Sequence, residues 1–149
     1  MKKVTISKRM VMCVALLCTV FIPLSVSAGS FDGSEPLYCA LMDAVQCMPG
    51  GECEEVEAEE VNLPSFIVID FKKEKITTTK VRGNKRTSKI ENKKQVDGKL
   101  MIQGAEDGAE GVNDGLAWSI AINETTGKMV ITGSGDNVGF VFFGACTPQ

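Results

Sequence analysis

Leu116-Ala117-Trp118-Ser119-Ile120-Ala121-Ile122 alternates bulky apolar residues with small ones, and no other reading fits it as well as a β-strand. Leu116, Trp118, Ile120 and Ile122 fall on one face, and Ala117, Ser119 and Ala121 on the other. The bulky face is the one to bury, so Trp118, the single tryptophan of the chain, is a core residue rather than a ligand platform. Downstream, NETTGK (123–128) is turn chemistry, MVITG returns, Gly135-Asp136-Asn137 turns again, and VGFVFFGAC (138–146) closes the chain. Upstream, Asp97-Gly98 stands between Gln95-Val96 and KLMIQG (99–104). That dipeptide favours a type I′ hairpin, whose two central residues both need positive φ. RTSKIEN (86–92), KITTTKV (75–81) and SFIVIDF (65–71) are β-branched or aromatic strands, the last preceded by Pro64 at a position where a missing amide does least damage. No helical period is visible after Pro64. Connections this short join antiparallel neighbours. The expectation is a mainly β, antiparallel meander of about six or seven strands, either a curled sheet or a small barrel. A barrel of roughly 85 residues of short strands would have a side-chain-filled interior rather than a large cavity.

The segment before Pro64 reads differently. LYCALMDAVQ (37–46) suggests a short helix against which the sheet would pack. Two of the six cysteines, Cys13 and Cys18, lie near the start. The remaining Cys39, Cys47, Cys53 and Cys146 allow three pairings. A helix would hold Cys39 and Cys47 about 12 Å apart, beyond the reach of a bridge. Met-Pro-Gly-Gly-Glu between Cys47 and Cys53 can fold back on itself, which favours Cys47 with Cys53 and Cys39 with Cys146. Cys39 with Cys53 and Cys47 with Cys146 remains the alternative. In either case the front of the chain is tied to its last strand.

The chain opens with Lys2, Lys3, Lys8 and Arg9, runs through apolar residues from Met10 to Ile22, and breaks at Pro23 before Val26-Ser27-Ala28. This is the order of a cleaved secretory signal spanning residues 1–28. The apolar run falls short of the ~20 residues a membrane-spanning helix needs, so no stable membrane insertion is expected after cleavage. Export to the periplasm or the extracellular space suits a structural role for the four remaining cysteines. Cleavage takes four of the 16 basic residues and none of the 19 acidic ones, leaving 12 against 19 and moving the net charge from −3 to −7. The mature chain divides into a cysteine-containing helix and acidic loop segment (29–64) and an antiparallel β domain (65–149), together one compact domain.

The function classes narrow by exclusion. The chain has no histidine, which removes the usual hydrolytic triad and a His-activated cysteine. The cysteine spacings are wrong for zinc. Glu52, Glu54, Glu55, Glu57, Glu59 and Glu60 lack calcium-loop spacing and read as a solvated stretch. The basic run from Lys72 to Lys94 has no aromatic residue within it, unlike single-strand nucleic-acid binders, and reads as a solvated strand face whose lysines discourage edge pairing. Neither Gly-rich segment, Gly104 to Gly111 or Gly133 to Asp136, runs from a strand into a helix, so neither is read as a phosphate cradle. Asn123-Glu124-Thr125 matches a glycosylation triplet that matters only in a eukaryotic secretory pathway. No cofactor or metal ligand set is assigned.

LYCALMDAVQCMPGGECEEVEAEEVNLPSFIVIDF, GLAWSIAINETTGKM and the terminal FVFFGACTP resemble a group of small, functionally uncharacterised exported proteins of Gram-negative bacteria. The resemblance spans most of the mature chain and implies a periplasmic or extracellular setting. It carries no catalytic or binding residue. The expected function is a non-catalytic binding domain for a ligand or an envelope protein, with Phe140, Phe142 and Phe143 as a candidate exposed surface. The alternatives are an exported hydrolase inhibitor that inserts its Cys47 to Cys53 loop and, further off, a hydrolase with a carboxylate-based site.

Overall fold

The computed structural model describes residues 30–58, 60, 61, 63, 65–79, 85–107 and 115–149. The predicted signal segment, 1–28, lies outside them. Nine strands follow one another: β1 (Leu37–Cys47), β2 (Cys53–Val56), β3 (Phe66–Asp70), β4 (Lys75–Thr78), β5 (Thr87–Val96), β6 (Lys99–Glu106), β7 (Leu116–Asn123), β8 (Lys128–Gly135) and β9 (Val138–Pro148). All pairings are antiparallel. β1 joins β3 on one side and β9 on the other, so β1 and β3 to β9 close into an eight-stranded barrel, with β2 as an extra strand on the upper part of β1.

β2 and β3 share one edge of β1. Val56 faces Ala44 and Phe66 faces Ala40, so the second stave of the barrel is a single course interrupted by the excursion from Glu57 to Ser65. The described part of that excursion is folded on itself, with Leu63 N donating to Ala58 O and Glu60 N to Glu57 O.

The helix expected over residues 37–46 is strand β1, and there is no helix among the described residues. The local preference loses to the backbone: a meander can close only if β9 finds a partner, and β1 pairs with β9 from Leu37 to Cys47, interrupted by one bulge between Leu41 and Asp43. The acidic segment hides one more strand, β2. Strand count therefore exceeds the six or seven expected, and the barrel alternative holds over an open sheet.

Alternation places the core inside. Ile69, Leu100, Ile102, Ile120, Ile122 and Met129 have essentially no exposed surface. Eight strands leave an interior that side chains fill. The Asp97-Gly98 turn has φ of 49° and 69°, as its sequence demanded. The lower end of the barrel is closed by Phe31, packed on Gly127, and by Phe71, over whose ring Lys93 Nζ sits at 5.4 Å. Cys39–Cys146 and Cys47–Cys53 are bonded. Both join directly opposed residues. Cys146 N donates to Gly127 O on the β8 side, so Cys39 and Cys146 form a non-hydrogen-bonded pair, where antiparallel strands bring Cα atoms closest.

Candidate functional site

The upper end of the barrel is built differently from the lower. Above Ile120 and Phe142 the inner wall carries a hollow of about 80 Å³ whose lining includes Leu41, Ile131, Phe142, Trp118, Arg86 and Glu106. Leu63 reaches it from the interrupted stave, and Gly133 contributes no side chain. The hollow exists because inward positions that elsewhere hold Ile or Leu are here Gly, Ser or Thr.

Its two sides differ in chemistry. On β4, β5 and the end of β6 stand Thr78, Ser88 and Glu106, joined by Arg86 just before β5; on β1, β8 and β9 the wall is Leu41, Ile131 and Phe142. Trp118 bridges them, 9% exposed, its Nε1 donating to Ser88 Oγ at 2.7 Å. Ser88 Oγ in turn donates to Ala105 O at 3.0 Å. Arg86 N donates to Thr78 Oγ1 at 2.8 Å, and Thr78 N donates to Arg86 O at 3.0 Å, which pins the rim between β4 and β5. Arg86 Nη1 lies 3.6 Å from Glu106 Oε1, with side chains 45% and 28% exposed. That is longer than the ~2.8 Å of a closed charge-assisted hydrogen bond.

A larger depression, about 360 Å³, lies on the outer wall among Lys99, Ala121, Lys128, Val130 and Phe143. It is the more open of the two, and Asn123, Met129 and Gly144 complete its lining. The smaller hollow is the better site because it is the less open and polar groups converge on it.

Of the three phenylalanines expected on one exposed surface, the structure separates two faces. Phe143 points outward and is 44% exposed, whereas Phe142 points inward and is 1% exposed. Phe140, half-buried, stacks on Phe142 with ring centroids 5.9 Å apart. Phe142 therefore belongs to the hollow and not to an outer surface, as strand period two requires. The Cys47–Cys53 loop stands at the tip of the β1–β2 hairpin, with Met48 51% exposed. The acidic side chains of Glu54 and Glu55 are exposed on β2, and Lys89, Lys93 and Lys94 are exposed on β5. Among the described residues no three His, Cys, Asp or Glu side chains converge as a metal site. Arg86 and Glu106 went unnoticed in the sequence. Their contact joins the approach to β5 with the end of β6 and needs the register, for which no local signal exists.

No protein-family model matches the chain, and no curated protein or solved structure is detectably similar to it.

Proposed function

We propose that this is an exported, non-catalytic binding domain that holds a small apolar group in the mouth of its barrel. The observation that carries this reading is the contrast between the two ends: one is plugged by Phe31 and Phe71, and the other holds a partly open hollow walled by Trp118, Phe142 and Ile131. Such pockets at barrel mouths are a recurrent ligand position. At about 80 Å³ the space suits one short chain or ring, well below a drug-sized ligand. Two disulfides fit an oxidising compartment, and the leader-like N-terminus supplies the route.

The test uses Trp118 as reporter. Titrating 3-methyl-1-butanol into the oxidised, processed protein should change its fluorescence saturably, and Ile131→Phe, which fills the hollow, should abolish the change. A linear response, or an unaltered one in Ile131→Phe, counts against the mouth. Intact mass of material from the exporting cell should show loss of residues 1–28 and a deficit of four hydrogens.

A second reading has its own observation, the exposed and covalently braced tip from Cys47 to Cys53. A loop so held is suited to insertion into a hydrolase active site or onto an envelope protein. Co-purification of such a partner, lost when Met48-Pro49-Gly50-Gly51-Glu52 is replaced by a glycine-serine loop, would support it. Recovery of the monomer alone would oppose it.

A further inference from the structure

The mouth has a charge pattern that restricts what it can hold. On its polar side both hydroxyls are engaged: Ser88 Oγ accepts from Trp118 Nε1 and donates to Ala105 O, and Thr78 Oγ1 accepts from Arg86 N and donates to Arg86 O at 3.4 Å. The guanidinium of Arg86 has five N–H donors, yet among the described residues its ion-pair contact is the single 3.6 Å approach to Glu106. Among the described residues the Glu106 carboxylate likewise has this one ion-pair contact. An open pair of opposite charges stands at the lip, above a pocket whose remaining wall is apolar.

Resting on the reading that the mouth holds a ligand, we propose that its natural class is a zwitterion bearing one short apolar chain, that is, an apolar α-amino acid. The chain enters between Trp118, Ile131 and Phe142, the carboxylate meets Arg86, and the ammonium meets Glu106. Charge decides the class. A lone carboxylate reaching Arg86 is repelled by Glu106 beside it, and a lone ammonium reaching Glu106 is repelled by Arg86. A head group carrying both charges on neighbouring atoms lies antiparallel to the Arg86–Glu106 pair and satisfies all four. Arg suits the carboxylate because its planar fork matches two oxygens at once. The about 80 Å³ available admits a leucine-sized side chain and excludes a long acyl tail.

Four probes share one branched chain: L-leucine, 4-methylpentanoate, 3-methylbutylamine and 3-methyl-1-butanol, each titrated against Trp118 fluorescence. Leucine is expected to bind about tenfold or more tighter than each of the others. Arg86→Met and Glu106→Gln should each weaken leucine binding about tenfold and leave the alcohol unchanged, the alcohol serving as the control for an intact pocket. Equal affinity for alcohol and leucine, preference for a singly charged probe, or leucine binding insensitive to both variants would overturn the zwitterion while leaving the mouth as a pocket. If none of the four probes perturbs Trp118, the mouth reading itself fails.

Discussion

Trp118 and Gly104 are register partners on β7 and β6, and the indole occupies the space where any side chain at position 104 would stand. A Cβ there would collide with the Trp118 ring and with Lys89 O. Glycine at this inward position lets the ring lie against the wall instead of across the barrel. Gly104→Ala is therefore expected to cost about 1 to 3 kcal/mol, through overpacking that the backbone of β5 cannot relieve. Urea denaturation followed by Trp118 fluorescence reads it, and an unchanged midpoint would show that the indole has another place to go.

The two disulfides should differ in weight. Cys39 and Cys146 are separated by 107 residues, Cys47 and Cys53 by 6. In the chain-entropy model the first contributes about 4.7 kcal/mol and the second about 2. Paired serine substitutions of each bridge, compared in the same denaturant series, should reproduce that order. A larger loss from the Cys47–Cys53 pair would contradict the view that the seam between β1 and β9 holds the barrel shut.

Alternation on β9 sets a third expectation. Phe142→Ala should destabilise by about 3 to 5 kcal/mol, as large buried truncations do. Phe143→Ala, on the outer face, should change stability by no more than about 0.5 kcal/mol. Thermal unfolding of the two variants decides it, and comparable losses would mean that the outer face is covered.

Asp32 anchors the segment that leads into β1. The Ser34 hydroxyl, then that of Ser30 and the Ser34 amide, hydrogen-bond its carboxylate and lower its pKa from 3.8 to about 2. The group is depressed in the folded state, so its stabilising effect is full above about pH 3.8 and is lost as pH falls through about 2. A carboxyl-detected NMR titration should show the low value, and Asp32→Asn should remove that part of the acid sensitivity. A normal titration would show that the turn is not formed in solution.

Strands from Phe66 onward were legible because alternation and turn chemistry agree there: LAWSIAI became β7, and Asp97-Gly98 its predicted hairpin. β1 was not. Leu37, Leu41 and Ala44 recur at helix-like intervals, and nothing local announces that β9 will take the hydrogen bonds of this segment. The pairing of Cys39 with Cys146 and of Cys47 with Cys53 was one of two favoured alternatives, argued partly from a helix that is absent. It stands for a different reason: the register sets Cys39 directly opposite Cys146 and Cys47 directly opposite Cys53. The mouth was invisible for the same cause as β1. Trp118 could be read as a core residue, but that it abuts Ser88 and that Arg86 meets Glu106 are products of register.

Where β1 meets β9, Leu37 is opposite Pro148, and Gln149 N donates to Pro36 O at 3.0 Å. Pro36, just before the first stave, and Gln149, just after the last, thus lie side by side. Joined there by a short linker and cut open instead at Asp97-Gly98, a circularly permuted chain would retain every stave of the wall, so the order in which the strands are synthesised is separable from the barrel they build.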